Sequence, residues 1–295
     1  MIDLHFYFFF IHSFVQQNTV EEGVEQLNLA YDEYGINFID TAEMYPVPTK
    51  PETQGLTDEA VSKFMKNRKR EDIILATKVA GRSERITWLR EDKSSAVVNK
   101  KQIIESVDSS LKRLGTDYID LLQIHWPDRY AGGLFGQGDF SPSQYDDEAG
   151  YVSFEEQLST LNDIIKEGKV RYIGVSNETP FGVCSMCDMA KYQPELYPKI
   201  VSIQNSYSLL VRKDFEAGLA EACYHHNVGL LPYSPLAGGI LTGKYRNESP
   251  EKGRLNLFPG FMDRYRSSLN EEAANAYGDI AMEVRFIVTY CCSYC

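Results

Sequence analysis

The feature that most constrains this chain is an alternation, repeated from residue 20 onward, of short apolar runs with helix-period segments. "INFID", "DIILATKV", "YIDLLQIH", "VRYIGVSN", "IVSIQNSY" and "VGLLPYSPL" are near-continuously apolar, and helical stretches separate them. Strands of that kind belong to a parallel sheet covered on its outer face, because each crossover lays a helix against it. Val24, Leu27, Tyr31 and Tyr34 recur at helical spacing and stop at Gly35. Ile103, Ile104, Val107, Leu111 and Leu114 form one face of a helix ending at Gly115. "TDEAVSKFMK" predicts a short helix with Thr57 as its N-cap. Ser153 with Glu156 predicts a capping box, opening a helix that carries Leu158, Leu161 and Ile165 and closes at Gly168. A further helix is expected after Asp214. Six such β-α units, with a candidate strand near the N-terminus, make up most of a (β/α)8 TIM barrel; a doubly wound sheet is the alternative. A single barrel domain over residues 1–295 is expected, since no repeat or linker interrupts it. Residues 127–150, rich in Gly, Asp and Ser, read as a loop over an active site.

Charge and composition narrow the partners. A net charge of −12 excludes a sequence-independent grip on nucleic acid and docking on an anionic membrane, though not a local basic pocket for phosphate. Six cysteines, three of them in the last five residues, outline no secreted disulfide framework, so a reducing, cytoplasmic location is expected. "MIDLHFYFFFIHSFV" has no basic n-region and no small-residue cleavage site, and is too short to span a bilayer. It reads as a buried strand or an altered start, and the second reading leaves an organellar location open.

In a parallel barrel the chemistry sits at the C-terminal strand ends. Here those ends are Asp40, Lys78, His125, Ser176 with Asn177, Gln204 and Tyr233. One buried Asp or His is ordinarily a satisfied structural residue. Six consecutive polar strand ends, where apolar residues would be cheaper, are a pattern. Asp40 and Lys78 leave neighbouring strands and can form a buried ion pair, with the cation close to Tyr45. A nearby ammonium favours the phenolate and lowers a tyrosine pKa from its usual value of about 10. His125 can hydrogen-bond the same phenol or a bound carbonyl oxygen. Tyr45 is then suited to act as general acid where negative charge develops on that oxygen.

"GINFIDTAEMY", "ILATKV", "SLKRLGTDYIDLLQIHWPD", "GKVRYIGVSN" and "YSPLAGGILTGKY" together resemble the aldo-keto reductase superfamily, its Tas-like members most, over roughly residues 20 to 270. The resemblance implies a barrel that binds NADP(H) without a Rossmann fold and reduces a small aldehyde or ketone to an alcohol by hydride transfer. It implies the catalytic tetrad Asp40, Tyr45, Lys78 and His125. It further implies that Ser176, Asn177 and Gln204 hold the nicotinamide carboxamide, that Tyr233 stacks on the ring, and that Ser234, Leu236, Gly238 and Lys244 lie along the pyrophosphate.

Competing signals carry less. "GGILTGKY" imitates a P-loop, but Tyr245 stands where the metal-binding hydroxyl belongs. Its glycines are better read as letting backbone approach phosphates. "GGLFGQGD" follows no strand and reads as a loop. Cys184 with Cys187 and Cys292 with Cys295 form two C-x-x-C pairs too far apart in sequence for a zinc ribbon. No metal is expected. Both chain ends depart from the resemblance: the stretch of Ser, Gly, Gln and Asn that serves the adenosine 2′-phosphate is replaced by "RFIVTYCCSYC", and the first strand and loop by "FYFFFIHSFVQQ". The expectation is therefore a barrel truncated at its C-terminus and altered at its N-terminus. A cofactor-poor, non-catalytic relative serving as a binding or regulatory subunit stands as the alternative to a reductase.

Overall fold

The expected alternation forms in the computed structural model, which describes residues 8–10, 18–132, 139–246, 253–260 and 262–283. By its contacts the chain divides into two units, Met1–Ile203 with Ala222–Gly229, and Gln204–Glu221 with Leu230–Cys295. The first unit holds β1 (Phe8–Phe10), α1 (Val20–Tyr34), β2 (Phe38–Asp40), α2 (Leu56–Met65), β3 (Ile74–Val79), α3 (Lys100–Leu114), β4 (Ile119–Ile124), α4 (Phe154–Lys166), β5 (Val170–Ser176) and α5 (Pro180–Tyr192). Its strands pair parallel and in chain order. Phe9 lies opposite Ile39, Asp40 opposite Ala76, Lys78 opposite Gln123, and Gln123 opposite Gly174. The first residues of β6 (Ile200–Ser206) follow β5 in the same sheet.

Helix packing explains the apolar runs. Leu27 of α1, Val61 and Phe64 of α2 and Leu114 of α3 close over Ile39 and Leu75 of β2 and β3, all essentially solvent-free. Each fully buried side chain of this size contributes about 1.5–3 kcal/mol against exposure. β4 is buried at every position, as a strand covered on both faces must be. Gly35 and Gly115 end their helices as expected, each left-handed with φ of 67° and 68°.

Some local expectations change. α2 begins at Leu56, its N-cap is the left-handed Gly55, and Thr57 is a buried residue inside the helix. Ser153 caps α4 by accepting from the Glu156 N–H, but Glu156 Oε1 accepts from the Lys100 N–H at 3.0 Å, so the carboxylate ties α4 to α3. A full capping box instead opens α1, between Thr19 and Glu22. The single helix expected after Asp214 is two: α6 (Lys213–Glu216), which contains Asp214, and α7 (Leu219–His226), parted by Gly218 at φ 103°.

The second unit holds the end of β6 beside β7 (Gly229–Tyr233), then α8 (Arg254–Leu257) and α9 (Ser268–Glu283). Ala237, Ile240, Leu241, Leu255 and Tyr265 make its own apolar cluster. Consecutive parallel β-α units place the chain in the α/β class of the (β/α)8 barrel, incomplete among the described residues, which hold seven strands. Among those residues no helix is long and apolar enough to cross a membrane. The expected loss of the last β-α unit, and the pair Cys292 and Cys295, fall on residues 284–295, outside the described ones.

Candidate active site

Asp40 is the last residue of β2 and only 1 % exposed, so its charge needs partners. Lys78 sits two positions beyond the residue opposite Asp40 and is wholly buried. Its long side chain reaches back, and Nζ donates to Asp40 Oδ2 at 2.5 Å and to the Thr41 carbonyl at 2.8 Å. Gln123 of β4, opposite Lys78 in the ladder, donates through Nε2 to Asp40 Oδ1 at 3.0 Å. Three adjacent strands thus meet on one carboxylate. Burial pushes the Lys78 ammonium below the ordinary lysine range, and the Asp40 charge opposes that shift.

Tyr45 lies at the end of the turn that follows β2. The Thr41 and Glu43 N–H groups still donate to Ala76 and Lys78 carbonyls, so the turn leaves the sheet gradually. Two further buried acids pin it. Glu43 forms a fork with Arg90 at 2.7 and 2.9 Å and accepts from the Ala80 N–H. Asp58 accepts from the Thr41 hydroxyl at 2.7 Å and from Arg113 at 2.8 Å. Burial pushes the Asp58 carboxyl up, against the pull of Arg113. Held this way, Tyr45 is 7 % exposed, and Lys78 Nζ lies 5.0 Å from its ring centroid. The His125 ring meets Tyr45 edge-on, at 5.6 Å and 77°. His125 follows β4, but its N–H continues the ladder to the Val79 carbonyl at 2.8 Å. The four residues singled out by sequence therefore converge in the first unit. Glu43, Asp58, Arg90 and Arg113, which fix the turn, were not singled out. Glu43 lies inside the same "DTAEMY" segment, and its acidic character was the available signal.

Gly81 allows β3 and β4 to end this closely. A Cβ there would sit 2.1 Å from the Trp126 carbonyl oxygen and 2.4 Å from its ring. Gly81→Ala is expected to destabilise the fold by about 1–3 kcal/mol through forced displacement of Trp126. Thermal denaturation measures it, and an unchanged midpoint would show that the site gives way freely.

Ser176 ends β5 and Asn177 follows it, both nearly buried. Asn177 is left-handed at φ 53°, a conformation asparagine tolerates better than most residues. Its Nδ2 donates to the His125 carbonyl at 2.9 Å and to Ser176 Oγ at 3.2 Å. Next to it, Glu178 binds Arg129 through both carboxylate oxygens, at 2.6 and 3.0 Å, where the chain enters α5. On that helix burial pushes the Cys187 thiol up to about 12. Cys223, on α7, is pushed up to about 11.

The second unit carries the remaining expected residues. Gln204 is buried on β6. Tyr233 ends β7, and Ser234 beyond it is left-handed at φ 55°. Ala237, Gly238 and Gly239 are left-handed in succession, at φ 49°, 66° and 98°, within a short 3-10 turn after Leu236. A Cβ on Gly239 would lie 2.6 Å from Lys244 Cε, so the glycine lets that lysine lie across the turn. Lys244 is exposed and, among the described residues, pairs with no carboxylate. Tyr245 is engaged structurally, accepting from the Leu255 N–H at 3.2 Å. The P-loop likeness ends there.

A cavity of about 480 Å³ opens in the first unit beside the converged residues. Met44 and Trp126, the chain neighbours of Tyr45 and His125, are part of its wall, with Trp88, Tyr130 and Tyr151. A parallel β-α fold with a phenol, an imidazole and a buried ion pair at its strand ends has the parts of an acid–base enzyme. The sequence model described as "Aldo/keto reductase family" matches residues 10–285, and the chain belongs to that family. It is 44% identical over 271 residues to "Protein tas" of Escherichia coli (strain K12), covering 91% of this chain and 75% of that protein. It is 43% identical over 222 residues to "Aldo-keto reductase" of Babesia bovis, covering 72% and 76% of the two chains. With "Aldo-keto reductase YhdN" of Bacillus subtilis (strain 168) it shares 33% over 277 residues, or 90% and 70%. Family membership carries oxidoreduction at carbonyl carbon, small carbonyl substrates and use of a nicotinamide nucleotide in general terms.

Proposed function

We propose that this chain reduces an aldehyde or ketone to the alcohol with NADPH, Tyr45 serving as general acid. The observation that carries the reading is the placement of a buried ammonium–carboxylate pair against one phenol. Lys78 Nζ lies 5.0 Å from the Tyr45 ring centroid and 2.5 Å from Asp40. As charge develops on a carbonyl oxygen, the Tyr45 hydroxyl gives up its proton to it. The Lys78 cation favours the phenolate left behind, and Asp40 keeps that cation charged in a buried setting. His125, edge-on to Tyr45, would orient the carbonyl oxygen in this scheme. These roles favour catalysis over the binding-subunit alternative.

NADPH, when bound, supplies the hydride that the carbonyl carbon receives. In the first unit Ser176 and Asn177 offer hydroxyl and amide groups suited to a carboxamide. In the second, Gln204 offers the same chemistry, Tyr233 a ring face, and the segment from Ser234 through Leu236 and Gly238 to Lys244 suits a pyrophosphate. The charge there suits an anion: Lys244 is exposed, its Nζ lies 5.2 Å from the Tyr245 ring centroid, and among the described residues it pairs with no carboxylate. Lys244→Met is expected to weaken NADPH binding about tenfold, the order lost with one charge-assisted hydrogen bond at an exposed site. Nucleotide fluorescence titration measures it; equal affinity would remove Lys244 from the phosphate site.

The reading as a whole is tested by the loss of NADPH absorbance with a panel of aromatic and aliphatic aldehydes. Saturable turnover supports it. Tight nucleotide binding with no turnover on any aldehyde would favour the binding-subunit alternative.

A further inference from the structure

The cavity whose wall includes Met44, Ile86 and Trp126, the residues packed with Tyr45, combines aromatic and cationic faces. Met44, Ile86, Trp88, Trp126, Tyr130 and Tyr151 give it apolar and aromatic faces. Its volume of about 480 Å³ is in the range of small-molecule sites and well above what a single benzene ring fills. Three arginines also border it: Arg82, Arg85 and Arg129. Two of them are already matched. Arg82 holds Asp128 Oδ1 at 2.9 Å, and Arg129 is bound by both oxygens of Glu178. Arg85 is exposed, and among the described residues it has no ion pair, hydrogen bond or ring contact. The cavity therefore carries one unbalanced positive charge at its edge. That charge belongs to a chain of net −12, whose overall field opposes the approach of anions. Recognition of an anionic compound here has to come from a local cation, and Arg85 is that cation. Its guanidinium fork matches a carboxylate in geometry as well as in sign.

We infer that Arg85 is a specificity residue, and that the substrate is an aromatic or similarly planar carbonyl compound carrying a carboxylate away from its reacting carbon. In this arrangement the ring lies among Trp88, Trp126 and the tyrosines, and the carboxylate meets Arg85. The inference rests on the reductase reading above, but its binding half can be measured separately. The chain has two tryptophans, Trp88 and Trp126, and both line this cavity, so intrinsic indole fluorescence reports on its occupancy.

The experiment titrates 4-carboxybenzaldehyde and its neutral methyl ester against the parent chain, Arg85→Gln and Arg85→Lys. Tryptophan quenching is followed first, then NADPH consumption. The parent is expected to bind the carboxylate more tightly than the ester. In Arg85→Gln that preference should fall about two- to fivefold, the order of one ion-pair contact open to water. Arg85→Lys should recover part of it, since the charge returns without the fork. In turnover the lost preference should appear in KM and not in kcat. An equal preference in the parent and Arg85→Gln, or a parent that favours the ester, would overturn the assignment. Carboxylate-selective quenching that depends on Arg85 but comes with no NADPH consumption would keep the anion site and overturn the reductase reading.

Discussion

Replacing Tyr45 with Phe is expected to lower carbonyl reduction by a factor on the order of 10²–10⁴, the usual share of a general acid, while nucleotide binding stays nearly unchanged. The substitution removes one hydroxyl and keeps the ring. Packing against His125 and over the Lys78 ammonium is therefore preserved, and the fold has no reason to move. What disappears is the only group in the proposed scheme that hands a proton to the developing oxyanion. Steady-state rates and a nucleotide titration on the same preparation decide it. Equal turnover in the variant and the parent would remove Tyr45 from the mechanism.

Lys78→Met is expected to destabilise the fold by about 3–5 kcal/mol, because it strands the Asp40 carboxylate in a nearly solvent-free site. Gln123 still donates to Oδ1, but Oδ2 loses the 2.5 Å contact from the ammonium. Combining Lys78→Met with Asp40→Asn removes both charges and should cost less than the two single changes added together. Chemical denaturation of the three variants measures the coupling. Strict additivity would mean that the two side chains do not interact, and the pairing on which the proposed acid chemistry depends would fall with it.

Both expectations were legible before the structure, for a physical reason. Asp40, Lys78, His125 and Ser176 break an otherwise apolar strand pattern at or next to its end, and a linear sequence displays a broken pattern; Gln204, expected at an end too, lies two residues inside β6. The supports of the turn do not show this way. Glu43 meets Arg90 across 47 residues and Asp58 meets Arg113 across 55, and no periodicity ties a turn residue to a distant helix or loop. Thr57 looked like a cap because threonine often caps. The backbone there uses a left-handed glycine two residues earlier, a choice made by conformation and not by side-chain chemistry. The capping pair Ser153 and Glu156 was half right for a similar reason: Glu156 found a donor at the start of another helix. Tyr233 was visible as a polar strand end, but its role and the choice of Lys244 came from resemblance, and their left-handed neighbours Ser234 and Gly243 became visible only with the backbone.

The meeting of three strands on Asp40 also bears on how the sheet assembles. Lys78 of β3 satisfies one carboxylate oxygen, and the other waits for Gln123, 83 residues along the chain from Asp40. A sheet fragment of β2 and β3 alone leaves the acid half served in a site already closing to water. Fraying of β4 from a finished sheet restores the same defect. Partly formed states are therefore raised in energy relative to the complete one, which sharpens cooperativity across these strands. Amide protection in β2, β3 and β4 should accordingly be lost in one step, so the carboxylate at the heart of the site also decides that the three strands melt together.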